Sequence, residues 1–234
     1  MYFFFHLFAG IIIGFIMGDL LHDRRWVIPC GLGAVLPDLI DKPLGHIIFS
    51  DSIGYGRIYG HSLGFFLVIV LLGLLTWRFW KTPVICGIAA GIISHEVLDT
   101  MWSEPANWFF PLMGPFQGNL PPDYLLVLVS GELSNPLEII IALFLGSCAL
   151  VYVKYRYALR ESGGYQKNLC YCLLGGALIL GTLAGIILGM AMVGDTLPFT
   201  GWSRVEDFTL GGIVVALAAY TVWRMHWKIR NRIL

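Results

Sequence analysis

The run GIISHEVLDTMW, residues 91–102, puts His95, Glu96 and Asp99 into an otherwise apolar segment. An ionisable group in hydrocarbon costs at least about 2.5–3.5 kcal/mol, so three of them together call for compensation by a metal ion, a proton or an ion path. On a helix, positions 95 and 99 lie one turn apart on the same face and can converge on one ion. Glu96 lies about 100° round the helix, which suits a supporting group, a proton carrier or a partner for a neighbouring helix. Taken alone, the His and Asp spacing serves an interhelical polar contact as well as a metal.

Further donors precede this run. GAVLPDLIDKP carries Asp38 and Asp41 just after a proline turn, where carboxylates either cap a helix or offer hard oxygen ligands. GRIYGHSLGFF carries His61 and Ser62, the serine placed to cap the next helix, and Arg57, which can hold a phosphate or an anionic headgroup in two-pronged fashion. His6 stands near the start of the chain, and His46 in PLGHIIFS is a further ligand candidate. Imidazoles mixed with carboxylates suit Zn²⁺ first and Mn²⁺ or Fe²⁺ next, rather than Ca²⁺. The five cysteines, Cys30, Cys86, Cys148, Cys170 and Cys172, sit mostly in apolar runs, and their one close pair, Cys-Tyr-Cys, lacks the spacing of a zinc or redox site.

The elements that must position these donors are membrane helices. Of 234 residues, 57% are hydrophobic and only 13% charged, and the mean hydropathy of +0.76 lies far outside the soluble range. A net charge of zero removes the basic surface that nucleic acid requires. The chain therefore reads as an all-α polytopic membrane protein. Spans of about 20 apolar residues fall near 3–19, 62–80, 83–101, 134–153, 169–193 and 208–227, and residues 26–37 form a second, short or broken segment, giving six to seven transmembrane helices. The apolar start lacks a basic leader, so it reads as a retained span rather than a signal peptide.

Three regions follow: 1–116, with four membrane segments and the donors; 117–133, an aromatic and proline-rich interfacial connector or lid; and 134–234, a three-helix scaffold. Lysine and arginine stay on the cytoplasmic side. Arg24, Arg25, Arg78, Lys81 and the basic residues near 154–167 and 224–232 occupy alternate connections if seven spans cross. This predicts a cell-membrane protein with its N-terminus out and C-terminus cytoplasmic, and it brings His6, Asp38, Asp41, His61, His95 and Asp99 to the outer face.

The order of a membrane histidine, PDLID, a His-Ser pair opening a hydrophobic span, SHEVLDT and then WFFP at 108–111 resembles the YdjM-type family of membrane-bound metal-dependent hydrolases, over roughly residues 1–116. That family is in turn similar to zinc-dependent phospholipase C in its scattered His and Asp ligands. The resemblance implies a metal site made of His6, Asp38, Asp41, His61, His95 and Asp99. One departure is that Gly56 stands where the family pattern has a histidine, with His46 as the candidate substitute.

The expected function is therefore an integral-membrane hydrolase that uses one or two divalent ions to cleave a phosphoester or ester of a membrane lipid at the outer face. Asp41 or Glu96 would accept the proton of the attacking water, and Arg57 would neutralise charge developing on the substrate. A metal-ion or other cation transporter is the alternative, and a structural protein with a metal staple is the third reading. Gly181, Gly185 and Gly189, at four-residue spacing, permit close helix approach within the bundle or across a homodimer.

Overall fold

A computed structural model describes residues 3–50, 52–116, 124–145, 163–193 and 205–233, all as helices, turns and loops, with no strand among them. The first helix, α1, runs over Phe3–Leu20. A 3-10 turn, Arg24–Trp26, follows, its N-terminus capped by the Asp23 carboxylate, which accepts the Arg25 N–H. The expected broken segment at 26–37 is two short helices, α2 (Val27–Gly33) and α3 (Leu36–Pro43), the latter entered through Pro37. Proline and glycine explain the break: Pro37 suits a helix start, where its missing N–H costs nothing. A π turn, Leu44–Ile48, carries His46. After a loop, Ser62 caps α4 (Leu63–Trp80) by accepting the Phe65 N–H at 3.2 Å. Then come α5 (Val84–Leu98), a 3-10 turn at Met101–Ser103 and the single turn α6 (Pro105–Trp108). The later helices are α7 (Tyr124–Ser134), α8 (Pro136–Leu145), α9 (Gly163–Val193) and α10 (Val205–Ile233).

Among the described residues, four helical stretches are long and apolar enough to cross a membrane: Phe3–Leu20, Leu63–Trp80, Tyr171–Val193 and Val205–Lys228. The six to seven crossings expected from sequence are not all matched by helices of that length. The segment placed at 83–101 is the 15-residue α5, because the chain turns at Asp99 and Thr100. Of the span expected at 134–153, α8 ends at Leu145 and residues 146–153 lie outside the described residues. Of the interfacial connector or lid expected at 117–133, residues 117–123 also lie outside the described residues, and 124–133 belong to helix α7.

The chain divides into two compact units, Met1–Glu138 and Ile139–Leu234. In the first, α1, α2 and α5 approach at backbone contact through glycine. A Cβ on Gly33 would fall 2.1 Å from the Ile88 carbonyl oxygen, and one on Gly91 would fall 2.2 Å from that of Cys30. Buried Phe5, Phe8, Ile12, Cys30, Ala34 and Ile92 fill the space around these crossings. In the second unit, α9 and α10 pack over Ile187, Ala184, Phe208 and Ala218. Among the described residues, nothing lies within 4 Å of a Cβ added at Gly181, Gly185 or Gly189.

Candidate metal centre

The crossing of α1, α2 and α5 fixes where the polar side chains meet. His6 lies one turn into α1, His95 one turn before the end of α5, and Asp38 and Asp41 on α3, while His61 closes the loop before α4. His6, Asp41, His61 and His95 have no exposed surface; Asp38 and Asp99 are also buried. All six residues expected from sequence are thus drawn into one buried cluster, but their atoms play different parts.

Two histidines have defined tautomers. His95 Nδ1 lies 2.7 Å from the Ala34 carbonyl oxygen, which can only accept, so Nδ1 carries the proton. His61 Nδ1 lies 2.8 Å from Asp41 Oδ2 and donates in the same way. In neutral rings the two Nε2 atoms then carry lone pairs, yet they face each other at 3.0 Å. Two acceptors at that distance repel unless a proton or a metal ion lies between them. Asp38 Oδ1 stands 3.7 Å from one Nε2 and 3.9 Å from the other.

Asp41 accepts the backbone N–H groups of Ile58, Gly60 and His61 at 2.7–3.0 Å, as well as His61 Nδ1–H. Its oxygens therefore organise the 58–61 loop and aim the His61 ring. It does not belong to either group of donor atoms that converge within 4.8 Å, namely His6, His95 and Asp99, and Asp38, His61 and His95.

Asp99 ends α5, and the chain leaves it through Thr100 in the left-handed region at φ 52°, a strained conformation for a β-branched residue. Its Oδ1 accepts from His6 Nε2 at 3.0 Å and its Oδ2 from Arg57 at 2.9 Å. The His6 ring also stacks on His95, with centroids 3.9 Å apart. Arg57, about one-third exposed, bridges Asp99 to Glu104. Glu104 additionally accepts from Tyr55 Oη at 2.7 Å and Asn107 Nδ2 at 3.0 Å. Burial works to raise the Glu104 pKa, but Arg57 and these hydrogen bonds outweigh it and hold the carboxyl below its usual range. Burial, then the bond to Glu104, pushes the Tyr55 phenol up to about 12. A cavity of about 320 Å³, lined by Tyr55, Ser103, Glu104 and Asn107 among others, opens beside this network.

Glu96, almost wholly buried, accepts from Trp108 Nε1 at 2.8 Å through Oε2, and its Oε1 has no hydrogen-bond partner. His46 is buried but belongs to neither convergent group. A Cβ on Gly56 would fall 2.7 Å from His46 Nε2, so the imidazole fills the room that a side chain at 56 would occupy. Burial, then Lys42, holds its pKa below the ordinary value.

Sequence reasoning did not identify the Ala34 carbonyl, the Glu104 and Tyr55 partners of Arg57, or Lys42, whose ammonium bonds Asp38 Oδ2 at 2.8 Å. Only the last left a readable signal, an Asp and Lys spaced four apart on one helix.

The site residues all fall within a region that other sequences share. Residues 1–162 match the family model described as YdjM inner membrane protein. No curated protein and no solved structure matches the chain.

Proposed function

The chain belongs to the YdjM inner membrane protein family, and from that premise we propose that this integral membrane protein is a metal-dependent hydrolase acting on a phosphoester or ester of a membrane lipid. The observation that carries the reading is the pair of buried imidazole lone pairs, 3.0 Å apart and flanked by Asp38. Charge supports it as well. Asp38 and Asp99 are buried carboxylates whose charge Lys42 and Arg57 offset in part, and a cation held among the histidines adds to that compensation. The donor set of imidazoles and carboxylates fits Zn²⁺, with Mn²⁺ or Fe²⁺ next.

An ion bound there supplies Lewis acidity and a water activated near neutral pH. The chain's own residues do the rest. Arg57, partly exposed and anchored on both Asp99 and Glu104, presents a fixed guanidinium to an anionic group. Glu96 accepts the proton of the attacking water through Oε1, while Trp108 holds its other oxygen. Asp41, with four N–H donors on its carboxylate, positions His61 instead of taking a proton. A headgroup-level site on the outer face gives lipid esters access without extraction from the bilayer.

The test is hydrolysis of mixed phospholipids and neutral ester lipids by the detergent-purified protein, with chelator and with Zn²⁺ or Mn²⁺ restored. The expected result is metal-dependent product release, lowered about 100-fold or more in kcat by Glu96→Gln. Metal-loaded protein that releases no product from either lipid class, yet passes cations across vesicles, would replace this reading with the transport one.

A further inference from the structure

We propose that the centre is mononuclear, with Asp38, His61 and His95 as its protein ligands and the His6–Asp99 pair outside the coordination sphere. This rests on the metal reading above and decides between the two overlapping groups of convergent donors. The groups share His95. Its Nδ1 proton is committed to the Ala34 carbonyl, so Nε2 offers one lone pair and serves one ion. Two ions cannot both use it.

The choice between the groups lies in what each donor's companion atom does. A ligating imidazole is normally held through its other nitrogen, and a ligating carboxylate is itself hydrogen-bonded. His61 is held through Nδ1 by Asp41, His95 through Nδ1 by Ala34, and Asp38 through Oδ2 by Lys42. In each, the remaining atom, Nε2 or Oδ1, turns to the common centre. Two nitrogens bound to one tetrahedral ion at about 2.0–2.1 Å stand roughly 3.3 Å apart, close to the observed 3.0 Å between the two Nε2 atoms.

His6 and Asp99 show the reverse pattern. Both Asp99 oxygens already accept N–H donors, from His6 at 3.0 Å and Arg57 at 2.9 Å. His6 spends its Nε2–H on Asp99, and its Nδ1 is buried without a hydrogen-bond partner. The support that His61 and His95 both have is missing at His6. The pair instead braces the stacked His95 ring and ties Arg57 to the cluster. Three protein ligands leave positions for water and substrate, the arrangement that separates catalytic from closed structural zinc sites.

The experiment is a titration of chelator-stripped, detergent-purified protein with Zn²⁺ against a competing chelator, together with Co²⁺ absorption spectra. Wild type is expected to bind one ion per chain. Asp38→Ala and His61→Ala should weaken binding by well over about 100-fold, whereas His6→Ala and Asp99→Asn should retain one ion with a loss of about 10- to 100-fold at most. The Co²⁺ ligand-field bands of His6→Ala should match those of wild type. Two ions per wild-type chain, a result that depends on no variant folding, overturns the proposal, as does a loss in His6→Ala equal to that in His61→Ala. A wild-type protein that binds no ion rejects the metal reading itself, which is a different outcome.

Discussion

Arg57 and Glu104 show how a residue's environment becomes a measurable property. Glu104 is half-buried, and its pKa lies below the ordinary value of 4.5: burial opposes ionisation, but Arg57, Tyr55 and Asn107 together outweigh it. A carboxyl whose folded-state pKa is depressed stabilises the fold above its unfolded pKa, and that contribution drains away as pH falls through the folded value. The melting temperature of wild type should therefore exceed that of Glu104→Gln most near neutral pH, and the gap should close as the pH drops from about 5 to about 3. A gap that stays constant over this range would contradict the assignment of Glu104 as the anionic partner of Arg57. The types of these residues were legible in the sequence, and Arg57 was singled out there. Its partner was not, because Glu104 lies 47 residues away with no spacing rule to connect them.

At the scale of elements, glycine spacing was readable but its use was not. Gly10 and Gly14, Gly87 and Gly91, and Gly181, Gly185 and Gly189 all recur at four-residue intervals. No described residue lies within 4 Å of a Cβ added to the last set, while Gly91 and Gly33 mark where α5 and α2 touch at the backbone. A repeat shows that a helix can be approached closely; only the neighbouring helix shows whether it is. Gly91→Ala places a methyl group 2.2 Å from the Cys30 carbonyl. It should destabilise by about 1–3 kcal/mol, read as a lower melting temperature in detergent, and it should disturb the site because α5 carries His95. Gly185→Ala meets nothing and should be neutral or stabilising by up to about 1 kcal/mol. Equal losses in the two variants would count against this packing of the first unit.

For the whole molecule, the two ends of the first unit are chemically unlike. The Arg25 guanidinium reaches the Lys81 carbonyl at 3.5 Å, so the basic connections after α1 and after α4 lie together at one end, while His6, His61 and Asp99 cluster at another. Positive residues are retained in the cytoplasm, which predicts that the His and Asp cluster faces outward. A phosphatase reporter that works only outside the cytoplasm should be active when fused after Leu112 and inactive after Lys81, and a fluorescent reporter that folds only in the cytoplasm should light up at the C-terminus. The opposite pattern would move the cluster to the inner face. By itself, the sequence determined the membrane class, the order of the donors and their chemical types, because hydropathy and ligand chemistry belong to residues one at a time. Tertiary structure alone decided which atoms meet: that the Ala34 carbonyl sets the His95 tautomer, that Asp41 is consumed in holding a loop, and that His6 spends its proton on Asp99. Those facts depend on hydrogen bonds between groups dozens of residues apart, some of them backbone atoms, and such partners leave no period or motif in the chain.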